Sequence, residues 1–446
     1  MKKLLSALIV SLASVSQNAS ATDLIDVIAL AYQNDPTFQQ AQHQRNVNVE
    51  FLSQARSALF PALESSAQNA LISKVRNRPN NLPSSTVVNK PHEYFVELRQ
   101  PLVNVGAWME VKRSHQIVNQ ANATLKAVEL DLYVRSANAY FDVLEAKDFL
   151  FFTKAEVKAQ RQQLTHAEQR FQVGVEPRTS VYEVKARYDA VVARELAARN
   201  ELANRLEALS AITGVHHSDV VSMRSRIPLL PPNPIAIKAW DKLAIKYSYT
   251  LAAKRHDAEI AHYAVKVQNS QYIPKLNLVG TYSDRHGQPF NTSTIDTTAA
   301  DVGVQVVMPV FQGGNLSSLS RQRKASYDVA LADLDGTLKQ VRLNVHQAYN
   351  SVLTGIGIVR ADRQAVFSSK SSLESTTVAF QEGTRTILDV LDTRKDYYDN
   401  LRQLSADQYN YIRAFIELKR SAGVLSIADI KKINSWLRVK THRQHA

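Results

Sequence analysis

The chain has 446 residues, 45% of them apolar, with 13 Gly, 14 Pro, no Cys and a formal charge of +13. So few chain breakers over this length exclude a loop-rich sandwich or a disordered chain and favour long uninterrupted helices. The missing Cys excludes a disulfide scaffold.

The first segment reads as an export signal. Lys2 and Lys3 precede the apolar run Leu4–Val15, and Ala19-Ser20-Ala21 has the small-x-small pattern of a signal-peptidase site. That run is too short to span a bilayer, which takes about 20 residues. Residues 1–21 are therefore expected to be removed, and the mature chain, two lysines poorer, carries +11. For an exported protein, lipid head groups or lipopolysaccharide suit such a surface better than nucleic acid. No later stretch reaches 18 unbroken apolar residues, so any membrane crossing must be made by strands.

The first strand window lies within Pro61–Gly106, with strands expected at about 62–74 and 92–103. Tyr94, Val96 and Leu98 alternate there with Glu93, Phe95, Glu97 and Arg99, as a strand between lipid and a wet lumen requires. A small soluble sheet has the same alternation. Val75–Pro91 reads as an exposed tip. A long helix follows at 107–173, free of Gly and Pro and about 100 Å long at about 1.5 Å per residue. It must be a rod packed sideways on others. A turn at Gly174 leads to a return helix, 178–213, with an apolar stripe through Val184, Tyr188 and Val191. Pro228, Pro231, Pro232 and Pro234 make 226–235 a stiff linker between 22–225 and 236–425.

The same order then recurs. Strands are expected at about 275–284 and 300–311, the latter alternating through Val302, Val304, Val306 and Met308, with an exposed tip at Arg285–Ala300. A long helix, 315–382, and a return helix, 384–422, follow; Leu401, Leu404, Gln408, Tyr411, Phe415 and Leu418 carry coiled-coil seam spacing. A shift of 209 residues places Tyr140 on Tyr349, Phe171-Gln172-x-Gly174 on Phe380-Gln381-x-Gly383, and Gly214-Val215 on Gly423-Val424. The chain is thus two copies of one unit. Its end, 426–446, with Lys431, Lys432, Arg438, Lys440 and Arg443, is expected to be a mobile basic tail.

Four strands cannot close a membrane barrel, and open edges in lipid leave backbone groups unpaired. Two copies would supply eight strands and three would supply twelve; the strand count leaves both open. Enzyme motifs are missing: there is no HExxH, GxxxxGK[ST] or GxSxG. His216-His217 with Asp219 follows Gly214 at a helix end and is read as turn chemistry, and Asn291-Thr292-Ser293 is a sequon by spelling only.

Several segments, in order, resemble the TolC-type outer-membrane efflux and type I secretion channel family: Ala55-Arg56-Ser57-Ala58-Leu59-Phe60-Pro61, Ala137-Asn138-Ala139-Tyr140-Phe141-Asp142-Val143-Leu144, Gln169-Arg170-Phe171-Gln172-Val173-Gly174, Pro309-Val310-Phe311-Gln312-Gly313-Gly314 and Gly383-Thr384-Arg385-Thr386-Ile387-Leu388-Asp389-Val390-Leu391-Asp392. The resemblance implies an α+β membrane channel. Three protomers of long coiled-coil helices and four strands each would form a 12-stranded barrel in the outer membrane and an α-helical tunnel through the periplasm. It implies a passive exit duct with no reaction and no cofactor, serving a periplasmic adaptor and an inner-membrane pump or ABC transporter. The rivals from the residues alone are a periplasmic coiled-coil adaptor with a small soluble β-domain and a basic coiled coil that binds nucleic acid.

The resemblance also assigns residues. Asp389 and Asp392, at i and i+3, match the family's acidic constriction. Taken alone, Thr386-x-x-Asp389 is a capping box; on a threefold axis the pair becomes a ring of carboxylates that raise one another's pKa and bind cations. Arg385 and Thr179 match residues of the links that hold the entrance shut. Ser180 and Phe380 stand where the best-known pattern has Asp and Tyr, so one link is missing. Glu183 either replaces the lost carboxylate or caps its own helix as Ser180-x-x-Glu183. Val173, Gly174, Val175, Gly383 and Thr384, at the turns, match the family's adaptor contact.

Overall fold

A computed structural model describes residues 22–77, 85–224, 226–290 and 293–438. The export-signal segment, Asn291 and Thr292 of the sequon, and Lys440 and Arg443 lie outside the described residues.

Helix α1 (Leu24–Asn34) opens on a reciprocal capping box between Asp23 and Asp26 and buries Leu24, Val27, Ile28 and Ala31. It breaks at Asp35, whose carboxylate accepts from the Phe38 N–H at 2.7 Å and so starts α2 (Pro36–Ser57). Pro36 sits in the first turn, where its missing donor costs nothing. Arg135 of α3 (Val105–Gln172) grips the same buried carboxylate through two hydrogen bonds, 3.0 and 3.1 Å. Burial alone would raise the Asp35 pKa; Arg135 and the Phe38 N–H overcome it and hold it below the usual carboxylate value. Helix α4 (Arg178–Thr213) completes the first copy.

The second copy has the same parts: α5 (Ile237–Tyr247), then Ser248 as the break and cap of α6 (Tyr249–Asn269), then α7 (Asn315–Gln381) and α8 (Ile387–Ser421). The copies share a close approach as well. Both return helices end on a left-handed glycine, Gly214 and Gly423, at φ 70°. A Cβ on Gly214 would meet that of Asn34 at 3.0 Å, and one on Gly423 would run into the carbonyl of Tyr247. Each return helix thus stops against the break between its copy's first two helices, where only glycine fits.

The rods are 68 and 67 residues, about 100 Å each. Helix α3 packs on α2, α6, α4 and α8, while α7 packs on α6 and α8. Their middles meet in one belt-like core that includes Tyr140, Phe141, Leu144, Val345, Val352, Tyr409, Ile412, Ile416 and Trp240. The segment that leads into the linker, and the linker's first residues, are part of this core. Val220, Val221, Met223 and Ile227 are buried, the Tyr140 hydroxyl donates to the Val221 carbonyl at 2.7 Å, and Tyr411 bonds both backbone groups of Leu230.

The tail expected to be mobile is corrected over residues 426–438. Ser426 and Asp429 form a capping box that starts α9 (Ile427–Asn434), which buries Ile430 and Ile433, and Lys419 pairs with Asp429. The Asn434 side chain accepts from the Leu24 N–H at 3.1 Å, and Trp436 and Leu437 are buried beyond it. Ile430 and Ile433, at helical spacing on either side of Lys431 and Lys432, outweigh the charge.

The sheet is antiparallel in the order β1 (Ala62–Asn69), β4 (His92–Val103), β5 (Lys275–Phe290), β6 (Ser293–Val307). Register puts Leu63, Leu98, Gly280 and Val302 in one row, with Leu278 and Val304 in a neighbouring row of the same face. That face is apolar and exposed; the other carries Glu64, Glu97, Arg99, Thr281 and Asp301. Strands β1 and β6 keep free outer edges among the described residues.

The strand expectations need correction in three places. The first strand ends at Asn69, and the expected tip holds a second hairpin, β2 (Ser73–Asn77) with β3 (Ser85–Asn89), in which Val75 opposes Val87. Strands β5 and β6 likewise run on through the other expected tip, whose Ile295, Thr297 and Thr298 suit a pleated ladder. Strand β6 stops at Val307 rather than 311, because Pro309 has no N–H to give.

Candidate functional site

The two turns between the rods and their return helices carry the residues singled out above. Each closes the same way. Gly174, at φ 75°, donates to the Phe171 carbonyl and Val175 to that of Arg170; Gly383, at φ 78°, donates to Phe380 and Thr384 to Ala379. This pair of bonds satisfies the last carbonyls of the rods and needs a left-handed residue between them. The turns lie side by side over a small apolar cluster of Ala167, Val184, Ile387 and Leu391, with Leu164, Val181 and Phe380 at its margin. Val173 and Val175 project from it, 73% and 61% exposed.

The starts of the return helices differ. Thr386 and Asp389 form the expected capping box: the Asp389 carboxylate accepts from the Thr386 N–H at 2.9 Å and its hydroxyl at 2.8 Å. The position equivalent to Thr386 in the first copy is Pro177, which caps α4 with no side-chain bond. Ser180 is therefore corrected from cap to first-turn residue: its N–H donates to the Pro177 carbonyl, and the expected Ser180-x-x-Glu183 box does not form.

The acidic pair is compensated within the chain. Bonds from the Thr386 N–H and hydroxyl, and the nearby Arg385, hold Asp389 below the usual carboxylate pKa. Arg385, in the turn just before the Thr386 cap, lies 3.9 Å from Asp389 in the first turn of α8. Among the described residues no ion pair or hydrogen bond joins Arg385 to Thr179, Ser180 or Glu183, all of which sit on the first turns of α4. Asp392 instead receives Arg187 of α4 at 2.8 Å. Phe380 lies under the Arg170 guanidinium at 5.5 Å, and Arg170 pairs with Glu176 at 2.9 Å. A cation over a ring ties the two turns together beside the position where the sequence leaves one link missing.

Farther along the rods, α8 is joined to α3 by buried polar contacts. Glu156, 1% exposed, pairs with Arg402 at 2.8 Å and Arg194 at 3.4 Å. The Tyr409 hydroxyl and Ser405 both donate to Asp148, and Arg413 reaches Asp142 and Glu145. His217 is buried between the hydroxyls of Thr22 and Thr213, and among the described residues no group of three or more His, Cys, Asp or Glu is placed to hold a metal ion.

A family model described as outer membrane efflux protein matches residues 27–215 and 241–424, one match for each copy. The chain belongs to this family. The outer membrane efflux protein assignment agrees with full-length relatives. The chain is 32% identical over 443 residues to the outer membrane protein TolC of Vibrio cholerae, covering 98% of this chain and 99% of that one. It is 26% identical over 428 residues to the alkaline protease secretion protein AprF of Pseudomonas aeruginosa, covering 94% and 88%. The fold matches the solved outer membrane protein VceC of Vibrio cholerae with a TM-score of 0.77 at 22% identity, covering 90% of this chain and 96% of that one. As a member of this outer-membrane efflux family the protein is an exit duct rather than an enzyme, and the adaptor alternative is set aside. It has an outer-membrane location with a periplasmic tunnel and works with efflux or secretion systems.

Two features of this efflux protein escaped sequence reading. Arg187 and Asp392 are 205 residues apart, and Glu156 and Arg402 are 246 apart, on different helices. The repeat held one faint signal, since the 209-residue shift makes Ser180 and Glu183 the counterparts of Asp389 and Asp392.

Proposed function

We propose that three copies of this chain join edge to edge, β6 of one to β1 of the next, into a 12-stranded barrel in outer-membrane lipid, with the rods continuing it as a periplasmic tunnel. The observation that carries this reading is the four-stranded sheet itself: its apolar face is exposed, its two outer edges are free, and four strands are too few to close. The turns then gather at the tunnel's inner mouth, where Asp389 and Asp392 from each copy line the constriction. There Arg385 reaches Thr179, Ser180 or Glu183 of a neighbouring copy to hold it shut. Val173, Gly174, Val175, Gly383 and Thr384 face the ends of a periplasmic adaptor, which couples the duct to an inner-membrane pump or an ABC transporter. A relative named for alkaline protease secretion supports a protein cargo, and the family's efflux description supports small toxic compounds.

The test is migration of detergent-extracted protein as a heat-modifiable trimer, followed by conductance in planar lipid. A species that stays monomeric and dissolves without detergent would end this reading. For the gate, Arg385→Ala should raise the single-channel conductance; an unchanged value would remove Arg385 from the lock.

A further inference from the structure

The two carboxylates at the mouth are neutralised in different ways. Arg385 stands just before the Thr386 cap of α8, four residues from Asp389, so this charge pair stays with the start of α8 however that helix moves. Arg187 belongs to α4 and meets Asp392 of α8 at 2.8 Å. Their contact exists only while α8 lies against α4, on the apolar cluster of Val184, Ile387 and Leu391. Both partners are exposed, 44% and 60%, so the bond adds little to folding. Its effect on the local field is larger, because a guanidinium in contact cancels most of what a passing ion feels from the carboxylate.

We propose that Arg187 is a specificity-determining residue of the duct: it masks Asp392 while the mouth is shut and bares it when α8 swings away from α4. Closed, the mouth carries a guanidinium for each of its carboxylates. Open, it gains one uncompensated negative charge per copy, so the passage becomes more cation-selective as it widens. This inference rests on the proposed trimer mouth.

The experiment measures Mg²⁺ block and the K⁺ over Cl⁻ reversal potential of the detergent-extracted protein in planar lipid. Arg187→Gln should lower the Mg²⁺ concentration for half-block about tenfold, as expected for three bared charges within about a Debye length of a divalent ion. It should also shift the reversal potential toward K⁺. Arg187→Lys should restore both. Asp392→Asn should change little in the parent protein but abolish the gain in the Arg187→Gln background. If Arg187→Gln leaves block and selectivity unchanged while Asp392→Asn alone weakens them, the masking role is overturned and the acidic mouth stands. If the double variant Asp389→Asn, Asp392→Asn still migrates as a trimer and blocks like the parent, the acidic mouth itself is wrong, and this inference falls with it.

Discussion

The belt and the tip are built from the same rods but held by different means. At the belt, α3, α7 and α8 meet α1, α5, α9 and the mid-chain segment in one continuous core, and Tyr140 and Tyr409 are buried with their hydroxyls satisfied. At the tip a few small and aliphatic side chains share a cluster, and the ion pairs around it are open to solvent on at least one side, Arg187–Asp392 on both. Exposed pairs contribute about 0–1 kcal/mol each, whereas burying a large aromatic contributes several. The molecule is anchored in the middle and loose at one end, the distribution that a gate needs.

Breaking the belt should have the largest effect. Tyr140→Ala removes a fully buried ring and strands the Val221 carbonyl, so we expect a loss of about 4 kcal/mol and failure to form a heat-stable trimer, read from gel migration after graded heating. Glu156→Ala, on the seam between belt and tip, takes from the buried Arg402 its partner at 2.8 Å and leaves it Asp399 alone. About 2 kcal/mol should go, measured as a lower thermal midpoint by circular dichroism. Leu391→Ala sharpens the contrast. The side chain is 1% exposed, yet its cluster is small and local, so the cost of about 2 kcal/mol should show as higher single-channel conductance with nearly unchanged melting. Equal losses at Leu391 and Tyr140 in the melting assay would remove the distinction between the two regions.

The smallest expected effect is one of pH. Burial, with Asp407 opposite, pushes Asp362 up to about 6 from 3.8. The folded chain thus binds more protons than the unfolded one between those values, and stability falls as pH rises from about 4 to about 6. Asp362→Asn should remove that cost. Solvent screening of this half-buried group reduces the gain to about 1 kcal/mol at pH 7.5, and it should vanish below pH 4. A melting curve equally shifted at both pH values would assign the gain to packing rather than charge.

Much of this was legible from local pattern. A run without Gly or Pro announces a rod, the pairs Gly174 and Gly383 announce its turns, and Thr386 with Asp389 announces a cap, because each depends on residues a few positions apart. The hairpin of β2 and β3 was hidden because Val75 and Val87 stand among Asn, Pro and Ser, and the lysines of α9 masked Ile430 and Ile433. Arg187 and Arg402 were invisible for a deeper reason: their partners sit on other helices, and no single-chain periodicity records which faces of two rods come together.

One consequence follows from Pro177 standing where Thr386 stands in the other copy. Its ring offers no acceptor to the first N–H groups of α4, whereas Thr386 and Asp389 fasten the start of α8 on both sides. Three such chains around an axis would present six hairpins of near-identical outline, alternately slack and stiff. A partner that grips by shape alone would see sixfold geometry, but one that presses on the hairpins would find only three that yield.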